Sequence, residues 1–249
     1  GRGTRISEES SLRPKPMIEI GGKPILWHIM KLYAAFGHTE FIICLGYKGW
    51  VIKEYFINYF MHNADVTVNL GDNSLQVHQN NAEPFKISLI DTGLDTMTAG
   101  RLKRVLPYVG NETFTLTYGD GVSDVDMNAL LEHHKKYQKI CTMTAIQATS
   151  RFGVIEMQED GLINSFEEKP ADSGTWINGG FFIIEPSIAK YLKDDADAIM
   201  WERQPMDDLA KDKQISAYKH NGFWKCMDTL RDKEELESMW EQGAPWKKW

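Results

Sequence analysis

Short apolar runs alternate with stretches of helical periodicity through the first 150 residues, and this alternation most constrains the fold. Residues 41–46 form a continuous apolar run that ends at glycine, which is typical of a strand buried on both faces. Residues 24–33 begin with proline and carry apolar residues at three- and four-residue spacing, which predicts a helix. Repeated units of this kind predict an α/β fold with a mainly parallel sheet and helices on both faces.

The same patterns predict the other elements. A hairpin is expected over residues 153–163, and no internal repeat or low-complexity linker interrupts the chain, so we expect one domain over residues 1–249. The remaining predicted strands cover residues 66–70, 87–92, 113–118, 141–147 and 181–184, and the remaining helices cover 51–60, 101–109 and 127–137 or begin at Pro186 and Pro205.

Charge and cysteine content exclude several classes of protein. The 249 residues carry 28 basic and 35 acidic side chains, a net charge of −7, which disfavours a general nucleic-acid or acidic-membrane binder. Cys44, Cys141 and Cys226 lie far apart, which argues against a disulfide scaffold or a thiolate zinc site and fits a reduced, cytoplasmic chain. No apolar run approaches the roughly 20 residues needed to span a bilayer.

The amino-terminal segment is rich in glycine and basic residues. Gly1, Gly3 and Thr4 belong to a Gly-Arg-Gly-Thr-Arg sequence that ends at Arg5, and Lys15 follows between two prolines. Successive backbone amides in a glycine-rich turn can bind phosphate oxygens, and arginine and lysine add charge for the same oxygens. The alternative is an exposed basic loop. Such a turn usually follows a buried strand, so we expect a strand ahead of Gly1.

A carboxylate stands between two glycines where a predicted strand ends. Asp120 lies between Gly119 and Gly121, and Asp228 follows an aromatic stretch late in the chain. One or two carboxylates, with phosphate oxygens and water, are the usual ligands of Mg²⁺. Two ordinary roles compete with this interpretation. Asp120 could be a solvated turn residue, and Asp228 could be the N-cap of a helix from about Leu230.

Two later segments are candidates for binding a sugar phosphate. Glu168 and Lys169 precede a proline, which suits phosphate binding on a loop or, equally, a surface charge cluster. Asn178 and Gly179 offer an amide and open backbone to sugar hydroxyls, or form a turn before a strand.

The order of these motifs resembles that of the sugar-1-phosphate nucleotidyltransferases. The similarity extends over nearly the full chain and is strongest for members that make CDP-glucose. It implies a Rossmann-like, mainly parallel mixed sheet with a small β/helical extension at the carboxyl end. Two differences stand out, since the family's leading strand is absent and position 13 is Arg where Lys is common. The most specific phrases are residues 13–17, 20–30, 100–105, 117–122, 177–182, 227–233 and 244–249.

The resemblance implies a reaction of CTP with α-D-glucose 1-phosphate that gives CDP-glucose and pyrophosphate, with Mg²⁺ as cofactor. Residues 1–150 would form the nucleotide-binding portion and residues 151–249 the sugar-binding and carboxyl-terminal portion. Catalysis would depend on Arg5, Lys15 and Lys169, and metal binding on Asp120 and Asp228. The nucleotide would contact Gly1, Gly3, Thr4, Arg5, Lys15, Thr92, Gly93, Arg101, Lys103, Gly119 and Asp120, and the sugar phosphate would contact Gly121, Glu168, Lys169, Asn178 and Gly179.

Other functions remain open at this point. A related enzyme could use dTTP, UTP or another phosphorylated substrate, since pyrimidine pockets differ by few hydrogen bonds. A non-catalytic sugar-nucleotide sensor on the same fold is the alternative outside enzymes. Five of the eight tryptophans lie in residues 201–249, and such density predicts packing on this subunit or a neighbour. The family and this segment together favour a homo-oligomer, with a hexamer as one candidate.

Overall fold

The computed structural model describes residues 6, 9, 12–147, 154–157, 163–167 and 175–249. The strands are β1 (Glu19–Ile20), β2 (Lys23–Pro24), β3 (Glu40–Leu45), β4 (Ala64–Asn69), β5 (Ser74–Asn80), β6 (Lys86–Asp91), β7 (Phe114–Thr117), β8 (Gly121–Ser123), β9 (Cys141–Gln147), β10 (Val154–Met157), β11 (Ile163–Glu167), β12 (Trp176–Ile184), β13 (Ile215–His220) and β14 (Trp224–Cys226). The helices are α1 (Ile25–Ala35), α2 (Gly49–Ile57), α3 (Tyr59–His62), α4 (Thr98–Val109), α5 (Met127–Tyr137), α6 (Gln204–Lys211) and α7 (Leu230–Glu241).

Four strands form the largest sheet of the described residues, in the order β13-β9-β12-β7. β13 runs parallel to β9, whereas β12 pairs antiparallel with both β9 and β7. β7, β9 and β13 therefore share one direction, with β12 reversed among them. This pairing, with helices packed against it, confirms the predicted α/β fold with a mixed sheet. The antiparallel pair β10–β11 agrees with the hairpin predicted over residues 153–163.

β3 and β6 form a separate parallel pair, and α4 packs against β3. Within the described residues, one edge of β3 and one edge of β7 lack a partner strand. Both edges line a groove of about 1380 Å³, together with residues of α4 and α5. β3 is therefore half-exposed and not buried on both faces as predicted, because the groove opens beside it. The strand expected ahead of Gly1 stays a prediction.

Large aromatic side chains from the carboxyl-terminal part complete the core. Trp201 is 1% exposed and packs edge to face on Phe182 of β12. Trp246 is fully buried, stacks on Phe223 and packs edge to face on His28. The prediction that these tryptophans pack within the protein is confirmed for Trp201 and Trp246.

The β4–β5 hairpin extends away from the core. Its residues are almost all exposed, and Leu70 just beyond β4 is 89% exposed. Two strands paired only with each other bury little surface, so a hairpin of this kind gains most of its stability from a covering surface. None of the helices described here has both the length and the apolar character needed to cross a membrane.

Candidate active site

A short antiparallel ladder brings the two predicted metal-binding aspartates together. β8 pairs with β14 so that Gly121 lies opposite Cys226. Just beyond this ladder, the Met227 N–H donates to the Asp120 carbonyl at 2.8 Å. Asp120 precedes β8 and Asp228 closely follows β14, and antiparallel pairing places such positions at the same end of the ladder. The structure thus unites two residues that lie 108 positions apart in the sequence.

Lys15 joins the two carboxylates. It opens a 3₁₀ turn over Lys15–Met17 that follows Pro14. Its Nζ donates to Asp120 Oδ2 at 2.7 Å and to Asp228 Oδ1 at 2.6 Å. Burial alone would lower the pKa of Lys15, but the two carboxylates outweigh it and raise that pKa above its usual value. The ammonium therefore stays charged through the neutral range.

Close packing of glycine and proline allows this approach. A Cβ on Gly119 would lie 3.0 Å from Cγ of Pro16, so a larger residue there would push the lysine turn away from the Asp120 turn. This contact supplies a physical reason for glycine next to Asp120, which the sequence motif alone did not.

A capping box fixes the backbone that carries Asp228. Thr229, and not Asp228, is the N-cap of α7, and its hydroxyl accepts from the Asp232 N–H. The Asp232 carboxylate in turn accepts from the backbone N–H groups of Asp228 and Thr229 at 3.1 and 2.9 Å. The alternative role of Asp228 as helix N-cap is therefore wrong, because the next residue already caps the helix. The Asp228 side chain points to Lys15 instead.

A pocket of about 490 Å³ opens beside this cluster. Lys15, Gly119, Asp120 and Asp228 line one part of it. The sequence assigned no role at the site to several other lining residues, which come from three distant segments of the chain. They are Thr98 at the start of α4, Leu116, Thr117 and Tyr118 at the end of β7, and Trp201 and Glu202 before α6.

The predicted nucleotide-contacting residues of α4 and its preceding loop are only partly brought together. Arg101 lines the pocket, and its guanidinium donates to the Thr92 hydroxyl at 2.7 Å and the Leu45 carbonyl at 3.0 Å. Thr92 is fully buried and thus supports Arg101. Gly93 follows Thr92 with a φ of 88° and is not among the residues that line the pocket. Lys103 is not brought to the pocket, because its ammonium bonds to Asp194 and to the Lys193 carbonyl.

Asn178 and Gly179 lie at a bulge of β12, where its register on β9 shifts between Asn178 and Phe182. The Asn178 Nδ2 donates to the Tyr118 hydroxyl at 3.1 Å. The Gly179 carbonyl accepts from Trp224 Nε1 at 2.6 Å, and a Cβ on Gly179 would approach the Thr144 carbonyl to 3.0 Å. Trp224 belongs to β14, so the Asn178 segment lies next to the Asp120–Asp228 ladder.

Several predicted site residues lie outside the described residues. Gly1, Gly3, Thr4 and Arg5 of the glycine-rich segment are among them, as are Glu168 and Lys169. Ile6, directly after the glycine-rich segment, is fully buried and lines the pocket. The roles of these six residues stay predictions.

The donor set of the cluster can be tested against a divalent cation. Among the described residues, no group of three or more His, Cys, Asp or Glu side chains is arranged to hold a metal by itself. Two carboxylates that already share one ammonium do fit a hard cation that keeps phosphate oxygens and water as its other ligands. Burial and the adjacent aspartates raise the pKa of the nearby Cys226 thiol to about 11, which makes it a weak nucleophile at neutral pH.

Comparison with known proteins finds a matching family model and relatives over the full chain. Residues 1–229 match the family model described as nucleotidyl transferase. The chain is 53% identical to the glucose-1-phosphate cytidylyltransferase of Salmonella typhi, with 100% of this chain and 96% of that protein covered. It is 26% identical to the mannose-1-phosphate guanyltransferase of Hypocrea jecorina, covering 95% of this chain and 60% of that protein.

The fold recurs in solved structures of low sequence identity. The crystal structure of apo UDP-glucose pyrophosphorylase matches with a TM-score of 0.68 at 19% identity, covering 97% of this chain and 95% of that one. Family model, full-length relative and fold agree, and the chain therefore belongs to the nucleotidyl transferase family.

Proposed function

We propose that the protein transfers the cytidylyl group of CTP to α-D-glucose 1-phosphate and releases pyrophosphate. The observation that carries this proposal is the Lys15–Asp120–Asp228 cluster at the edge of a pocket, in a chain 53% identical to an enzyme named glucose-1-phosphate cytidylyltransferase. The charges of the cluster suit the binding of phosphates and a cation, and the name of the relative is the reason for proposing CTP and glucose 1-phosphate as the substrates.

The chemistry requires positioning and charge neutralisation more than proton transfer. A phosphate oxygen of the sugar phosphate attacks the α-phosphorus of CTP, and the bond from that phosphorus to the β-phosphate oxygen breaks. The electron pair leaves with pyrophosphate. Since the nucleophile is already an anion, no general base is needed.

Lys15 would neutralise charge on the triphosphate. Its ammonium is largely buried, with a side chain 13% exposed, so its interaction with a phosphate would be screened less than that of a surface lysine. Arg5, in the glycine-rich segment ahead of the buried Ile6, would contribute a second cation to the same phosphates. Lys169 would hold the sugar phosphate.

Members of this family generally use a divalent metal ion. We propose Mg²⁺, held by Asp120 and Asp228, because carboxylate, phosphate and water oxygens are its preferred ligands. When bound, it would supply positive charge that offsets charge on the phosphate oxygens. The Asp120 and Asp228 carboxylates bind and orient, and they exchange no proton in this scheme.

The experiment is pyrophosphate release with CTP, UTP, dTTP, ATP and GTP, each against a panel of sugar 1-phosphates, with and without Mg²⁺. Metal-dependent release for CTP with glucose 1-phosphate alone supports the proposal. Release with another pair would reassign the substrates within the family. Absence of release for every pair, in a folded protein that still binds a sugar nucleotide, would indicate a sensor and refute the enzyme.

Two matched variants test the cluster in the same assay. We expect Lys15→Ala and Asp120→Asn to lower turnover by about a hundredfold or more, since one charge-assisted contact made in the transition state contributes a few kcal/mol. A lysine whose ion pair lies elsewhere, Lys193 on Asp208, provides the control substitution Lys193→Ala. Near-wild-type turnover of a folded Lys15→Ala protein would remove Lys15 from the mechanism.

We also propose a cytoplasmic homo-oligomer, with a hexamer as one candidate, built from one domain over residues 1–249. Core clusters that combine both halves of the chain support the single domain.

The exposed β4–β5 hairpin supports association, since Leu70 and Val68 present apolar surface. Light scattering of wild type and Leu70→Glu tests the oligomer, and an unchanged mass for the variant would exclude this hairpin from the interface. Cell fractionation tests the compartment, for which the three free thiols are the supporting observation.

A further inference from the structure

A chain of hydrogen bonds connects the pocket to the predicted sugar-binding amide. The Tyr118 hydroxyl accepts from Asn178 Nδ2 at 3.1 Å and lies next to the Glu202 carboxylate. Tyr118 and Glu202 both line the pocket, and Asn178 is a partly exposed residue of β12 that contacts Tyr118. The sequence motifs assigned no role to Tyr118 or Glu202.

The Glu202 end of this chain is fixed by α4. The Thr98 hydroxyl donates to Glu202 Oε2 at 3.1 Å and accepts from the Trp201 N–H at 2.7 Å. The Trp201 side chain is buried in the core, so the backbone just before Glu202 is anchored. A carboxylate fixed in this way is an acceptor beside the Tyr118 hydroxyl and can restrict its orientation.

The Tyr118 ring is confined by its neighbours. It packs edge to face on Phe182, and it lies so close to Gly180 that a Cβ there would come within 2.7 Å of the ring. Held in this position, the Tyr118 hydroxyl oxygen accepts from Asn178 Nδ2.

The Asn178 amide is thereby held at both ends. Its Oδ1 accepts from the Gly180 N–H at 2.8 Å, while Nδ2 donates to Tyr118. An amide group offers two N–H donors and two oxygen lone pairs. The two bonds found among the described residues use one N–H and one lone pair of Asn178. The second N–H and the second lone pair can bind a sugar hydroxyl, which both donates and accepts.

We propose that Tyr118 and Glu202 are positioning residues that orient the Asn178 amide toward one hydroxyl of the sugar 1-phosphate. The inference rests on the proposed function and adds to it two residues that determine how tightly the sugar is bound. Neither residue touches the reacting phosphates in this arrangement. Their loss therefore weakens binding of the sugar phosphate and leaves the chemical step and CTP binding in place.

The test compares Tyr118→Phe, Glu202→Ala and Glu202→Gln in steady-state kinetics with both substrates varied. We expect the KM for glucose 1-phosphate to rise about tenfold in Tyr118→Phe and Glu202→Ala, the equivalent of one hydrogen bond. Glutamine keeps an acceptor oxygen, so the KM of Glu202→Gln for glucose 1-phosphate should lie close to that of wild type. The kcat and the KM for CTP should change less than twofold.

A matched control is available on the surface. Tyr191 donates to Asp212 Oδ2 at 2.9 Å, a similar tyrosine–carboxylate bond outside the pocket, and Tyr191→Phe should match wild type throughout. Thermal unfolding establishes that each variant is folded. If Tyr118→Phe does not fold, the comparison of Glu202→Ala with Glu202→Gln decides alone.

Deoxy analogues of the sugar 1-phosphate make the test specific. With the wild-type protein, the KM should be about tenfold higher for the analogue that lacks the hydroxyl bound by Asn178 than for the parent sugar 1-phosphate. In Tyr118→Phe the two compounds should have the same KM, because the substitution and the missing hydroxyl remove the same contact. Additive losses for every analogue, an unchanged KM for the sugar phosphate, or equal effects on CTP would each overturn the inference. The substrates of the wild-type protein are established by the separate pyrophosphate-release assay. If another sugar phosphate is the substrate, deoxy analogues of that compound are compared in the same way.

Discussion

Replacing Lys15 with methionine should separate metal binding from catalysis. In the structure the Lys15 ammonium bridges Asp120 and Asp228, the two carboxylates proposed to hold Mg²⁺. A lysine and a divalent cation then compete for the same oxygens when no nucleotide is present. Methionine has a similar length and no charge, so it removes the competitor with little change in packing. We expect Lys15→Met to bind metal more tightly while it loses turnover.

The magnitude follows from the two contacts. Hydrogen bonds to charged groups contribute about 1.5–3 kcal/mol each, and the cation has to displace the ammonium from at least one carboxylate. Asp120 is 34% exposed, so solvent screens its contact and the lower end of that range applies. About 1.4 kcal/mol corresponds to a tenfold change in the dissociation constant of the metal. Turnover should fall by about a hundredfold or more in the same variant.

Thermal unfolding in a titration of Mg²⁺ or Mn²⁺, without nucleotide, measures the effect. A ligand of the folded state raises stability by RT ln(1 + [L]/Kd), so the stabilisation should begin at about tenfold lower metal concentration in Lys15→Met. Lys193→Met is the matched control, because Lys193 pairs with Asp208 outside the pocket. Adding Asp120→Asn should abolish the gain. Equal or weaker metal binding by Lys15→Met would refute the competition and place the cation elsewhere.

Three further substitutions have expected outcomes. Gly180→Ala forces a side chain at a φ of 78° and against the Tyr118 ring, so we expect a loss of about 1–2 kcal/mol in urea unfolding; an unchanged midpoint would contradict this. Burial opposes ionisation of Asp232, but hydrogen bonds from Thr229 prevail and lower its pKa, so its stabilisation is present above about pH 4 and is lost as the pH falls through the lower folded pKa. Asp232→Asn should therefore cost about 1 kcal/mol at pH 7 and less near pH 2.5, and an equal cost at both would argue against the carboxylate cap. Arg101→Lys loses the planar guanidinium contacts and should raise the KM for CTP about tenfold, whereas an equal rise for the sugar phosphate would remove Arg101 from the nucleotide side.

Local signals explain the parts that the sequence predicted well. The α5 helix begins after Asp126, whose side chain accepts from two backbone amides of the first turn, and it spans the predicted residues 127–137. Strand β9 likewise agrees with the predicted residues 141–147. The Asp120 turn was found because a strand end, two glycines and a carboxylate are all visible in a few consecutive residues.

Long-range contacts explain what was missed. Glu202 is held at the pocket by a bond from Thr98, 104 positions away in sequence, and lies beside Tyr118, which is also distant in sequence, so no local pattern marks it. Arg101 and Lys103 were both predicted to contact the nucleotide, and here a local signal was available to distinguish them. Residues two apart on a helix point to nearly opposite sides, so only one of them can face a given pocket. The helical period alone could have separated Arg101 from Lys103.

The position of Lys15 also bears on how charge is balanced when substrates arrive. Two carboxylates this close together repel each other, and a buried lysine between them lowers that repulsion and holds both in place. A nucleotide that carries its own divalent cation would supply positive charge to Asp120 and Asp228 and negative charge to the Lys15 ammonium at the same moment. Exchange of Lys15 from carboxylates to phosphates would then leave neither the two carboxylates nor the ammonium without an opposite charge. A bare cation offers no phosphate to the released ammonium, so the wild-type site should favour the metal–nucleotide complex over the metal alone.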